Sequence, residues 1–305
     1  MEFLFLGLTI LGLCLFEVIT SIDNAVINAE VLSGMSKRAR RWFLLWGFLF
    51  AVVVVRGALP LVILWIANPS LGPVGAFTLA FSGGREAQEA IEKTAPVLLL
   101  GGGIFLIFLF FHWLFLEPKN FGLRTERFFQ RQGAWFFAVV SVILMLLVWF
   151  ALQIDTMMAF GAVVGSTAFF IIHGFRTYAE EQEKKMMGSN VSDISKIAYL
   201  EVLDSTFSID GVIGAFAFTF AVPLILLGNG LGALILRWMT VSNIERIKKY
   251  KLLKNGAMYS IFFLGIIMII DSFGYHIPPY ISPLITFGTV GYFLYRSKKE
   301  VENNG

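Results

Sequence analysis

The chain has 305 residues, 57% of them apolar and only 15% charged, with a mean hydropathy of +0.76 and a net charge of +3. Soluble domains carry about a quarter charged residues, so a water-soluble enzyme or a nucleic-acid-binding domain is excluded. One cysteine, Cys14, rules out an intrachain disulfide and any Cys-rich metal site, and is read as a packing residue.

A membrane-spanning helix needs about 20 predominantly apolar residues, and about nine such segments can be read along the chain. They cover roughly 3–33, 42–67, 95–116, 135–154, 156–175, 197–220, 222–240, 256–275 and 280–296. The first is a span and not a signal peptide, because its apolar run passes through Glu17 without a small-residue cleavage site. The expected fold is therefore an all-α polytopic membrane protein, one integral domain over 1–305.

The joining segments set an orientation. "MSKRARR" (35–41), "EPKNFGLRTERFFQRQG" (117–133), "RTYAEEQEKKMMGSNVSDISK" (176–196), "NIERIKKYKLLKNG" (243–256) and the tail with Arg296, Lys298 and Lys299 hold most of the basic residues. The opposite segment 68–94 has only Arg85 and Lys93. Basic loops stay cytoplasmic, so the N-terminus is expected outside and the C-terminus inside a bacterial-type plasma membrane. "VGAFTLAF" within 68–94 reads as a short re-entrant or interfacial helix. Trp42, Trp46, Trp65, Trp113, Trp135 and Trp238 read as interfacial belts, and His112, His173 and His276 as boundary residues. "GGG" (101–103) and "GNGLG" (228–232) read as close-packing sites, since no strand precedes them to form a phosphate loop.

One span breaks the apolar pattern with "FEVITSIDNAVINAE" from Phe16, and it has an echo in "LEVLDSTFSIDGVI" from Leu200. Glu17 precedes Asp23 by the interval that separates Asp204 from Asp210, and Glu201 adds a third acid to the second copy. The first copy lies on an odd-numbered span and the second on an even-numbered one, so the copies run antiparallel. That implies two inverted-topology repeats (about 1–154 and 197–296) joined by a connector span at about 155–175, around an acidic site at the midplane. Arg56 and Arg237 each follow an acidic span by one helix.

An Asp at the bilayer centre costs about 2.5–3.5 kcal/mol on insertion scales, so buried acids there are functional by default. At about 100° per residue, Ser21, Asn24 and Asn28 lie within about 40° of Glu17, while Asp23 points about 120° away. Glu201, Asp204, Ser205 and Ser208 form a second stripe, with Asp210 roughly opposite Glu201. Either the Ser-Ile-Asp segments unwind and swing each Asp into the cavity, or each Asp pairs with a neighbouring span, Arg56 and Arg237 being the candidates. Oxygen ligands without His or Cys suit Mg²⁺, Ca²⁺ or Mn²⁺. Proton coupling is a further expectation for such acids, and Asp271 is a candidate for the access path.

"FEVITSIDNAVINA" and "YLEVLDSTFSIDGVIGAF" resemble the two acidic helices of the TerC-like integral membrane proteins, relatives of LysE-like transporters. Gly211, where that family commonly has a small polar residue, and the segment 68–94 depart from the pattern. The resemblance implies manganese efflux or a link to tellurium resistance, with metal-site roles for Glu17, Asp23, Asn24, Glu201, Asp204 and Asp210, and Mn²⁺ as substrate with no organic cofactor. The expected function is thus a divalent-cation exporter and not an enzyme. The rivals are a non-transporting membrane component of a metal or tellurite stress-response complex and, further off, an intramembrane aspartyl protease. The protease reading fails on motif context, because neither Asp23 nor Asp210 lies in a Tyr-Asp or Gly-x-Gly-Asp setting.

Overall fold

The computed structural model describes residues 2–47, 49–67, 70, 72–81, 85–119, 122–187 and 192–304. Some side chains within these ranges, Asp23 among them, lie outside the described residues. Every regular element described is helical. In chain order these are α1 (Glu2–Thr20), α2 (Ile22–Ser33), α3 (Lys37–Trp42), two π-helical stretches (Phe43–Gly47 and Phe50–Val55) and α4 (Arg56–Ala67). They continue as α5 (Gly72–Phe81), α6 (Arg85–Leu116), α7 (Arg124–Gln130), α8 (Trp135–Leu152), α9 (Thr156–Met187), α10 (Asp193–Ala215), α11 (Val222–Lys248), α12 (Leu253–Ser272) and α13 (Ile281–Asn304).

Seven helical stretches among the described residues are long and apolar enough to cross a membrane: 3–20, 37–66, 91–116, 135–152, 156–178, 222–239 and 253–272. This is the make-up of a polytopic membrane protein. Two segments read as spans, 197–220 and 280–296, are not among the seven. The first corresponds to α10, whose Glu201, Asp204 and Asp210 interrupt its apolar run, and the second to α13, which ends in a charged tail.

α6 sits at the centre, packed by α9 on one side and α12 on the other. Glycines let the backbones meet. A methyl group on Gly101 would lie 2.6 Å from the Gly161 carbonyl oxygen, and one on Gly103 would lie 2.9 Å from that of Gly265. Inside a bilayer, where apolar burial between helices gains little, close backbone approach and dispersion drive association. Around this seam Phe110 packs on Phe262 at 4.5 Å, and Phe169 meets Phe105 and Phe108 edge-on. α8 contributes little to the core, and Trp135, Phe137, Trp149 and Phe150 all face outward from it.

Several boundaries differ from the sequence reading. The long first segment is two helices, broken at one residue, Ser21 (φ −99°, ψ 5°). The "VGAFTLAF" segment is helical as expected, within α5. α9 continues to Met187, so Arg176 lies inside a helix and not in a connecting loop. Trp113 is buried against its protein neighbours and does not face outward. Its carbonyl accepts a hydrogen bond from the Lys119 ammonium, which also lies 3.8 Å above its ring.

Candidate functional site

The two acidic segments come together. α1 and α2 run antiparallel to α10, with Glu17 against Gly211 and Asn24 against Asp204. α11 runs parallel to α1, placing Gly228 on Leu13 and Gly232 on Glu17. The π-helical stretches and α4 run antiparallel to α11, so Phe43 meets Arg237, Val52 meets Gly230 and Gly57 meets Leu226. Four helical rods thus surround a common axis. The "GNGLG" glycines do more than bring helices close: Gly232 leaves the space that the Glu17 side chain fills.

Glu17 is fully buried. Its Oε1 accepts hydrogen bonds from Arg56 Nη2 at 2.5 Å and from Ser21 Oγ at 3.1 Å. Arg56 is equally buried and also donates to the Ala51 carbonyl at 3.2 Å, within the second π-helical stretch. At an effective dielectric of 20 such a pair attracts by about 4 kcal/mol, which offsets part of a desolvation cost of several kcal/mol per ion. The other carboxylate oxygen, Glu17 Oε2, is enclosed beside Gly211 with no hydrogen-bond donor among the described residues.

One turn deeper, a cavity of about 50 Å³ opens between α2, the π-helical stretches, α10 and α11. Its polar wall is Asn24, Asn28, Arg56, Asp204 and Arg237. About 15 Å³ of such space admits one water molecule, so an ion with part of its hydration fits. Asn24 Nδ2 donates to Asp204 Oδ1 at 2.5 Å, which fixes the orientation of that amide. The amide oxygens of Asn24 and Asn28 are both enclosed and accept from no donor among the described residues. Arg237 donates to the Phe43 carbonyl, lies 4.9 Å from the centre of the Phe43 ring, and feels the charges of Asp204 and Glu201.

The structure separates the six expected ligands. Asn24 and Asp204 line the cavity, and Glu17 stands behind Arg56. Glu201 faces the first π-helical stretch, in the space left by Gly47, with neither carboxylate oxygen hydrogen-bonded among the described residues. The Asp23 side chain lies outside the described residues. Asp210 is turned away onto α9, where Arg176 Nη2 donates to its Oδ2 at 2.7 Å. Of the two alternatives, Asp210 takes the pairing one, with Arg176 in place of the candidates Arg56 and Arg237, and α10 passes through Ser208–Asp210 without unwinding. The break in the first segment is only a kink, since the Ser21 and Ala25 amides still donate to the Glu17 and Ser21 carbonyls.

The supporting residues divide likewise. The Ser205 and Ser208 hydroxyls donate back to the Glu201 and Asp204 carbonyls at 2.6 Å and do not serve as cavity ligands. Asp271 lies at the far end of α12, 3.4 Å from the exposed His276, away from the cavity. Among the described residues no group of three or more His, Cys, Asp and Glu is arranged to hold a metal ion. The oxygen donors that do converge are one carboxylate and two amides, with Glu17 available only if Arg56 releases it. The sequence signal for Arg176 was its presence near the acidic span in a hairpin; reading it as loop concealed it.

No curated protein and no solved structure matches the chain. The pattern of one family, described as a protein of unknown function (DUF475), matches residues 22–304, from just after Glu17 and Ser21 through the second acidic segment, and the chain belongs to that family.

Proposed function

We propose that the protein is an integral membrane transporter that moves a divalent metal cation, with Mn²⁺ the first ion to test, outward by alternating access. The observation that carries this reading is the pair of enclosed amide oxygens, Asn24 Oδ1 and Asn28 Oδ1, which line one cavity with the Asp204 carboxylate between antiparallel helices, with the buried Glu17 behind Arg56. Buried acceptors without donors are costly, at about 1–3 kcal/mol each, and a hard cation answers all of them at once. In the state described, Arg56 and Arg237 supply the positive charge. A cation entering the cavity takes over part of that role, frees Glu17 from Arg56, and completes an oxygen shell with Asp204 and the two amides.

The helix directions support a nine-span reading with two inverted repeats. α1 and α10 are antiparallel, as are the π–α4 rod and α11, while α6 and α9 run parallel. Each relation is the one that alternating spans require, with α10 and α13 counted as spans, the N-terminus outside and the basic loops inside. The likeness of the two acidic segments to TerC-like proteins points to the same substrate class.

The test is flux in proteoliposomes loaded with a metal-sensitive dye, with Mn²⁺, Mg²⁺, Ca²⁺ and Zn²⁺ offered separately. Asp204→Asn is expected to lower Mn²⁺ flux by at least about tenfold, the equivalent of one lost charge contact of about 1.4 kcal/mol. Flux that is unchanged in both Asp204→Asn and Glu17→Gln would end the cavity reading.

A further inference from the structure

Two of the three histidines in the chain meet at a place the acidic motifs do not explain. His112, near the end of α6, and His173, on α9, have ring centroids 3.7 Å apart at an interplanar angle of 51°. The contact is built by the backbone. α6 and α9 run parallel and are drawn together by Gly101, Gly161 and Gly165, so the rings are held in place by the packing of two long helices. Phe169 stacks on His173 (5.7 Å, 5°), and Phe136 of α8 meets His112 edge-on (5.6 Å, 89°). Both imidazoles are half-buried.

The charged groups around the pair form a row. Arg176 lies one turn beyond His173 on α9 and pairs with Asp210 of α10. Glu117 and Lys119 follow the end of α6, and Lys254 of α12 pairs with Glu117 at 2.6 Å. His112 feels His173, Arg176, Lys119 and Lys254, and His173 feels Arg176, Glu117 and Asp210. α8 brings no titratable side chain, only Phe136. The row therefore runs from the loop after α6, through the imidazoles, to the acid on the motif helix that faces away from the cavity.

We propose that His112 and His173 together form a proton-binding site that holds one proton between them and is linked electrostatically to the Arg176–Asp210 pair. Two imidazolium charges in contact, walled by phenyl rings and flanked by Arg176, repel strongly, so the second proton is refused. The single proton resides on a ring nitrogen of one imidazole while the other stays neutral, and the pair titrates as one unit. Its charge competes with Arg176 for Asp210. Proton uptake thereby loosens the hold of α9 on α10, the helix that carries Asp204 to the cavity. The site stands independently of whether the cavity carries a metal.

The test is a pH titration of isotope-labelled imidazole signals in the purified protein in detergent micelles. With three histidines the spectrum is assignable by single substitutions, and His276, whose side chain is 95% exposed, serves as the internal reference. The expected result is that the His112 and His173 signals move together and account for one proton between them. Arg176→Gln and Asp210→Asn are expected to move that midpoint in opposite senses, with His276 unmoved, while Arg176→Lys leaves it near the wild-type position. Two rings that each take up a full proton independently, or a midpoint indifferent to both charge-removing variants, would overturn the proposal. The wild-type titration decides the first point even if a substituted protein fails to fold.

Discussion

Arg56 shows how a buried charge is tied down. Its guanidinium answers Glu17 and the Ala51 carbonyl, and Glu17 in turn is braced by Ser21. Removing one member of such a pair leaves the other charged and dry, a loss on the order of 3–5 kcal/mol, whereas removing both is far less costly. Arg56→Met is therefore expected to lower thermal stability in detergent sharply, and Arg56→Met with Glu17→Gln to recover most of the loss; equal melting of the single and double variants would contradict the pairing. Lys119 offers a pH signature. Burial pushes its ammonium down to about 8 from an ordinary 10.5, although it sits beside Glu117 and donates to the Trp113 carbonyl. Between about 8 and 10.5 the unfolded chain keeps a proton that the folded chain has lost, so stability should rise with pH across that window. Lys119→Met should remove the rise, as followed by unfolding at pH 7.5 and pH 10.

At the scale of elements, glycines decide what fits. Gly47 and Gly211 face Glu201 and Glu17, and each leaves space that a methyl group would occupy. Gly211→Ala is expected to displace the Glu17 carboxylate and weaken its bond to Arg56, with a cost of about 1–3 kcal/mol from overpacking. Gly174, with nothing within 4 Å of an added methyl group, is the control that should be neutral. A Gly211→Ala melting temperature that is unchanged or raised, as the better helix propensity of alanine alone would give, would show that Glu17 does not need that space. Gly211 was visible in the sequence as a departure from a resembling pattern, but its reason was not, because an empty space for another helix's side chain has no local signature. Helical periodicity placed Asp210 opposite Glu201 correctly and so told that it needed another neighbour. It could not name Arg176, since that required knowing that α9 extends past its apolar part. The two π-helical stretches ahead of Arg56 were equally silent, because their apolar sequence is indistinguishable from that of an ordinary span.

For the whole molecule, composition was enough to give the class, and the alternation of apolar and basic segments gave most helix positions. The span count was less legible. α10 carries three acids, which keep it out of the apolar stretches, and their neighbours on α2, α9 and the π-helical stretch appear only in the fold. The echo of "SIDNAV" in "SIDGVI" marked the two segments that meet at the axis, yet the copies are not equivalent, one kinked at Ser21 and the other continuous.

Two buried ion pairs among the described residues join neighbours in the chain: Glu17 and Arg56 close the first hairpin, and Arg176 and Asp210 close the hairpin of α9 and α10. The consequence concerns how the chain enters the bilayer. A lone acid or guanidinium crossing the hydrocarbon opposes insertion, but a helix delivered with the helix next to it brings its own counter-charge. Each hairpin can then partition with one of its buried acids already countered during synthesis, before the distant half of the protein exists. Asp204 on α10 and Arg237 on α11 come into each other's field only when α11 docks, so the electrostatics of the cavity are completed late in assembly.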